Sequence, residues 1–140
     1  MGRSHRAVYR LTRGRLLGRV ADMPVLLLTT TGRRSGKART TPLTYFKAGS
    51  GSDLAVVASN GGEDRPPQWW LNLQADSRAW ITRGSRTEAV IARPATPEEH
   101  AHLWPVITAV NPGYAGYARR TQRSIPVVVL TRTKENAPNR

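Results

Sequence analysis

The stretch Val25-Leu26-Leu27-Leu28-Thr29-Thr30-Thr31-Gly32-Arg33-Arg34-Ser35-Gly36-Lys37-Ala38-Arg39-Thr40-Thr41-Pro42-Leu43-Thr44-Tyr45-Phe46-Lys47 decides the fold class. Its first seven residues are apolar or β-branched, follow Pro24 and stop at Gly32, the pattern of a short buried strand. Gly32 to Gly36 carries turn residues. Thr40 to Lys47 returns as a second strand, with Pro42 marking an edge or a bulge because proline has no N–H to give a ladder. Gly49-Ser50-Gly51-Ser52 reads as a hairpin loop and Leu54 to Ser59 as a third strand. Residues 24–59 therefore read as a three-strand meander.

Downstream, Asn60-Gly61-Gly62 signals a turn, and Pro66-Pro67 suits the first turn of a helix carrying Trp69, Trp70 and Leu73 to about Ala75. Ala79–Arg83 and Arg86–Arg93 form a hairpin around Gly84-Ser85. Thr96-Pro97-Glu98-Glu99 is a capping box with proline at the first helical position. It opens a helix with Leu103, Trp104, Ile107 and Val110 on one face, and Pro105 predicts a kink or a break after Trp104. Tyr114 to Arg123 is a short helix, and Ile125 to Thr131 a last strand. The tally is about six strands and three helices. Because the strands come in hairpins rather than βαβ units, the fold class is α+β with a mostly antiparallel sheet or small barrel. The domain spans 22–132, between a basic arm at 1–21 and a disordered tail at 133–140.

Composition limits the chemistry. The 140 residues hold 22 Lys+Arg against 9 Asp+Glu, a formal charge of +13, and no cysteine. Disulfides, thiolate metal sites and cysteine nucleophiles are excluded. No apolar run approaches the roughly 20 residues of a spanning helix. His100 and His102 are two apart, so on a helix they splay rather than share a ligand, and no metal site is expected. Nucleophile-elbow, H-E-x-x-H and G-x-G-x-x-G patterns are absent. Gly32-x-x-x-Gly36-Lys37 is one residue short of a P-loop, and it joins strand to strand.

The charge is clustered. Six arginines (Arg3, Arg6, Arg10, Arg13, Arg15, Arg19) stand in residues 1–20 with no acid. They do not read as a signal peptide; the alternatives are a basic arm for an anionic membrane surface and a solvated or self-packed terminus. Arg33, Arg34, Lys37 and Arg39 put four cations in seven residues. With Ser35 and two glycines they read either as a phosphate-binding loop or as a solvated hairpin tip. Ala58-Ser59-Asn60-Gly61-Gly62 brings a strand end into a tight turn whose N–H groups could meet a ligand. Trp69, Trp70, Trp104, Tyr114 and Tyr117 could line a flat pocket, with at least two of these tryptophans expected in the core. A chain with an anion loop and aromatics but no nucleophile and no metal site suits borrowed cofactor chemistry.

These residues carry a resemblance. The run Leu27 to Gly36, then Arg39, Pro42-Leu43, Ala58-Ser59-Asn60-Gly61-Gly62, Trp69, Asn72-Leu73, Trp104-Pro105, Tyr114 and Ile125-Pro126 resembles the deazaflavin (coenzyme F420)-dependent nitroreductase and quinone reductase family over about residues 22–132. The resemblance implies a split β-barrel and an F420H2-dependent oxidoreductase that passes hydride to a quinone, nitro compound or similar small-molecule electron acceptor. It implies that Arg33, Arg34, Ser35, Gly36, Lys37 and Arg39 hold the coenzyme's phosphate and acidic tail. Pro42, Ala58, Ser59, Asn60, Gly61, Gly62 and Trp69 would approach the ring and its neighbouring chain, and Ser59, Tyr114 and Tyr117 would serve the reaction. Relatives commonly carry Lys at the place of Asn60, with Arg65 or Arg39 as the candidate substitute, and the nitroreductase type of the family places Tyr at Asn111, before Pro112. The expected location is the cytoplasm, with peripheral membrane association through residues 1–20, and a homodimer is an expectation. FMN is the alternative cofactor. A basic nucleic-acid-binding domain is the alternative function, but no nucleic-acid partner is expected.

Overall fold

The computed structural model describes residues 24–49, 51–120 and 124–133. The expectations for the arm at 1–21, for Arg123 and for residues 134–140 lie outside them. Seven strands form one antiparallel sheet: β1 Val25–Thr31, β2 Ala38–Thr44, β3 Phe46–Lys47, β4 Leu54–Val57, β5 Arg78–Arg83, β6 Arg86–Pro94 and β7 Val127–Arg132. Their order across the sheet is β2-β1-β5-β6-β7-β4-β3. Helix α1 (Gln68–Ala75) joins β4 to β5, and α2 (Pro97–Val110) and α3 (Gly113–Arg120) join β6 to β7.

The expected meander is corrected by this order. The run 40–47 is two strands rather than one. Residues up to Thr44 pair with β1, from Val25↔Thr44 to Thr31↔Ala38, whereas Phe46 and Lys47 pair with Ala55 and Leu54. Tyr45 alone lies between them. The two outer strands of the sheet are thus joined by one residue, and the sheet must curl until its edges nearly meet. Pro42 sits on the edge strand β2, where a missing N–H costs no ladder bond.

The curl makes two layers of core. Inside it, Leu26, Leu28, Leu54, Val56, Ile81, Val90, Val128 and Leu130 pack with Trp69, Trp70 and Leu73 of α1. Outside it, Ala55, Val57, Ile125 and Val127 pack with Ile107 of α2 and with half-buried Phe46, Leu103, Trp104, Tyr114 and Tyr117. This is why Leu54-Ala55-Val56-Val57 and Val127-Val128-Val129-Leu130 are apolar without alternation: both faces of β4 and β7 are covered.

Helix α2 begins as the sequence predicts. Thr96 Oγ1 accepts the Glu99 N–H at 3.1 Å and a Glu99 carboxylate oxygen accepts the Thr96 N–H at 2.8 Å. The Glu99 carboxylate also accepts from Arg93 Nη1 and Nη2, at 2.7 and 2.9 Å. The break expected after Trp104 does not occur; α2 runs on through Pro105 to Val110. Proline deprives the Ala101 carbonyl of its helical partner, but Ala101 is on the exposed side, where water can serve it. Val110 departs from the expected buried face, standing 47 % exposed while Ile107 is fully buried. His100 stacks on Trp104 at 5.2 Å and its Nε2–H points to the Ile125 carbonyl at 3.3 Å. Thr133, assigned to the tail, instead extends the β6–β7 ladder by donating to the Ala89 carbonyl at 3.0 Å. Among the described residues no helix is long and apolar enough to cross a membrane.

The Arg93 guanidinium and the cap N–H hold the Glu99 carboxyl down at about 2, against an ordinary value of 4.5. A depressed carboxyl pKa contributes stability above the unfolded value and loses it as pH falls through the folded one. Glu99→Gln should therefore lower the melting temperature at pH 6, and the two melting curves should converge as pH drops from 4.5 towards 2. A gap that stays constant over that range would show that the carboxylate is not the stabilising form. Thr96→Ala should cost about 1 kcal/mol in denaturant unfolding.

Candidate active site

The split between the sheet's edges is filled by a cavity of about 750 Å³. One wall is β2, from Arg39 through Thr40, Thr41, Pro42, Leu43 and Thr44. The opposite wall is the end of β4 at Val57 and Ser59, with the turn at Asn60 and Gly61. The β1–β2 loop (Gly32, Arg33, Arg34, Ser35) and the start of α1 (Pro67, Gln68, Trp69, Asn72) close one end, and Tyr114 of α3 stands at the other. The two walls come from strands that do not pair with each other, so the gap in hydrogen bonding and the site are the same feature.

The β1–β2 loop is built from local geometry. Gly32 N–H donates to the Lys37 carbonyl at 2.8 Å, and Gly36 N–H to the Gly32 carbonyl at 2.8 Å. Ser35 Oγ accepts the Lys37 N–H at 3.1 Å. A Cβ at Gly32 would lie 2.8 Å from Ser35 Oγ and 3.2 Å from the Lys37 carbonyl, and Gly36 has φ +74°. The two glycines therefore serve the turn itself: one allows the close approach, the other the left-handed backbone. Within the loop, Arg33 and Arg34 line the cavity with Ser35, and Arg39 joins them from β2; Lys37 and Gly36 are exposed and are not among the lining residues.

The ring-side residues divide in the same way. Ser59 is 8 % and Trp69 8 % exposed, and both line the cavity. Ala58 is fully buried behind Ser59, in the inner core. Asn60 and Gly61 line the cavity and Gly62 is not among the lining residues. The Asn60 side chain is turned to its own loop: Nδ2 donates to the Arg65 carbonyl at 2.9 Å, with Glu63 Oε1 at 3.4 Å. Its φ is +48°, a conformation asparagine tolerates better than most residues. Arg65 is exposed, and through its carbonyl it serves as Asn60's acceptor.

Tyr114 reaches the cavity while Tyr117 is not among its lining residues; the two rings meet edge to face at 5.8 Å, and Phe46 meets Tyr114 at 6.2 Å. Burial pushes the Tyr114 hydroxyl above the ordinary tyrosine range, and Tyr117 adds to this; contacts with the side chains of Thr44 and Asn111 oppose it in part. The hydroxyl is thus held protonated, as a donor, at neutral pH. Of the three tryptophans singled out in sequence, Trp69 and Trp70 lie in the inner core, and Trp104, on α2, is half-buried against the outer core.

Sequence reasoning missed the threonine lining of β2 (Thr40, Thr41, Thr44), Gln68, and the part played by Asn72. The available signal was composition: Thr40, Thr41 and Thr44 are polar in a strand that a barrel wall facing only a core would fill with apolar side chains.

The donor set fits an anionic cofactor with a flat ring. Three arginines gather at one end, hydroxyls run along the wall, Trp69 and Pro42 offer flat apolar surface, and no Asp or Glu is among the lining residues. Arg33, Arg34 and Arg39 take no carboxylate partner among the described residues. A phosphate or a string of carboxylates would meet no repulsion there.

The comparisons agree with that chemistry. The family described as F420H(2)-dependent quinone reductase matches residues 1–132. An F420H(2)-dependent quinone reductase of Mycobacterium tuberculosis is 43% identical over 134 residues, covering 93% of this chain and 89% of that protein. A solved structure described as an F420-H2 dependent reductase superposes with TM-score 0.67 at 35% identity, over 76% of this chain and 93% of its own. Another, described as a domain-swapped dimer, gives TM-score 0.68 at 32% identity over 91% of this chain and 95% of its own. The expected fold class, α+β with a split, mostly antiparallel barrel, agrees with the first of these structures, and coenzyme F420 accounts for the cofactor without the FMN alternative. The chain belongs to the F420H(2)-dependent quinone reductase family.

Proposed function

We propose that this chain binds reduced coenzyme F420 in the cavity between β2 and β4 and reduces a quinone-like acceptor there. The observation that carries this reading is the lining: three arginines at the loop end, Trp69 and Ser59 along the way, the Tyr114 hydroxyl at the far end, and no acid. When bound, the reduced deazaflavin supplies the hydride. The protein's own residues bind, orient and polarise. Arg33, Arg34 and Arg39 neutralise the coenzyme's phosphate and tail carboxylates through charge-assisted hydrogen bonds. Trp69 and Pro42 bound the ring, and buried Ser59 offers a hydroxyl at its edge. Tyr114 donates a hydrogen bond to negative charge that develops on the acceptor oxygen. Tyr117, packed on Tyr114, holds that ring in place. Lys37 is assigned to the outer, solvent-facing part of the acidic tail.

Two further readings concern partners. A homodimer is supported by the relative of 32% identity described as a domain-swapped dimer. The six arginines of residues 1–20 support contact with an anionic membrane surface.

Titrating oxidised and reduced coenzyme against tryptophan fluorescence tests the binding, because Trp69 lines the cavity. Saturable quenching is expected, and its absence in a folded protein would overturn the assignment. Arg34→Ala should weaken binding by about 1.5–3 kcal/mol, and added salt should shrink the difference between wild type and variant. Tyr114→Phe should leave coenzyme affinity near wild type and lower kcat by about 10²-fold. Because burial raises the Tyr114 pKa, its proton should persist to alkaline pH. The wild-type rate should therefore show no Tyr114-dependent fall below pH about 10. A kcat unchanged in Tyr114→Phe would remove this residue from the reaction.

A further inference from the structure

Asn72 is the one asparagine buried in the described core, 5 % exposed, on a helix whose neighbouring Trp69, Trp70 and Leu73 are all apolar and buried. A buried amide is costly unless its hydrogen bonds are made. Its partners lie far away in sequence. Asn72 Oδ1 accepts two hydrogen bonds from one residue, the Arg33 backbone N–H at 3.1 Å and Arg33 Nη1 at 2.9 Å. Asn72 Nδ2 donates to Thr30 Oγ1 at 3.2 Å, and Thr30 is 1 % exposed. Since the Arg33 groups can only donate, the amide orientation follows from the network.

The double acceptance matters. One oxygen on α1 fixes both the peptide and the guanidinium of the same loop residue. A guanidinium has five N–H donors; one is committed to Asn72, and the others remain available at the cavity. Arg34 and Arg39, by contrast, are exposed and have no such anchor. The cationic end of the cavity is therefore not uniform. We propose that Asn72 is a positioning residue that sets Arg33 in advance as the rigid anion-binding arginine of the site, with Arg34 and Arg39 as the adaptable ones. Ordering a long side chain before the ligand arrives removes that ordering from the cost of binding. The inference rests on the coenzyme reading above and extends it to one residue that makes the loop specific.

The test is a double-mutant cycle on the affinity for oxidised coenzyme F420, read by tryptophan fluorescence, with Arg34→Ala as reference. Asn72→Ala and Arg33→Ala should each weaken binding about tenfold, and the double variant no more than the weaker single one, because the two act as one unit. Losses that multiply to about a hundredfold would show independent roles and overturn the proposal. If Arg33→Ala binds normally while Arg34→Ala does not, positioning fails and the coenzyme reading stands. If neither arginine matters, the coenzyme reading itself fails. A second measurement covers an Asn72→Ala chain that does not fold. In the full-length wild-type protein, ¹⁵N NMR should show the Arg33 Nη group resolved and slowly rotating without any coenzyme. An averaged, solvent-like signal would overturn the proposal.

Discussion

A single residue joins the two ends of the sheet. β2 and β3 are its outermost strands, yet Tyr45 is all that separates them in sequence. Consecutive Cα atoms are about 3.8 Å apart, so Thr44 and Phe46 lie within about 7–8 Å of each other. An open, flat seven-stranded sheet cannot satisfy that distance; a curled one does. Tyr45 is held at the corner from several sides. Its N–H donates to the Pro24 carbonyl at 3.2 Å, its ring packs on the inner core, and the Arg83 guanidinium sits 5.5 Å from the ring centre. Alternation continues through the corner: Thr44 contacts Tyr114, Tyr45 faces the inner core, and Phe46 meets Tyr114 again.

Everything at the site follows from this joint. A curled sheet that closed fully would pair β2 with β4 and leave no cavity. Closure at one corner alone leaves the rest of the two edges apart, and the space between them is what Arg39 to Thr44 and Val57 to Gly61 line. The ends of that gap are then capped by elements the curl brings together: α1 from one side, α3 from the other. The aromatic chain Phe46–Tyr114–Tyr117 ties the corner to the wall of the site, so the position of Tyr114 is inherited from the closure rather than from its own short helix.

The parts of this arrangement that were readable in sequence are the local ones. Apolar runs bounded by Pro and Gly located the strands, the Thr96–Glu99 box located a helix start to the residue, and the clustering of arginines at 33–39 located one end of the cavity. What was not readable depends on pairing between distant residues. Nothing in Thr44-Tyr45-Phe46 marks a change of strand partner, because the change is decided by Val25 on one side and Ala55 on the other. Asn72 reads as a polar residue on an amphipathic helix, because its partners are 39 and 42 positions away. Pro105 misled in the opposite direction: a strong local breaker was outweighed by the packing of Ile107 beneath the helix and by the solvent beside Ala101. Within the cation cluster, composition could not separate Arg33 and Arg34 from Lys37. That separation comes from the turn, in which Gly36 is left-handed and Ser35 accepts the Lys37 N–H.

The large positive charge gains a different meaning from where the acids are. Among the described residues, Asp76 pairs with Arg78, Glu88 with Arg83, Arg86 and Arg132, and Glu99 with Arg93. These arginines stand on β5, β6 or β7, and none of their acid partners lines the cavity. Glu88, only 14% exposed, holds three guanidinium groups together at once, which like charges would otherwise oppose. Asp76, Glu88 and Glu99 are thus placed where cations have a structural task, and none of the three lines the cavity. A net charge acts at long range and is screened within about 8–10 Å at ordinary salt; it would attract any polyanion. Arg33, Arg34 and Arg39 have no carboxylate partner among the described residues, so around one cavity a charge is left that would act at contact distance, and Arg33 is already hydrogen-bonded to Asn72. This local imbalance, more than the overall excess, is what supports the proposed coenzyme site over a merely basic surface.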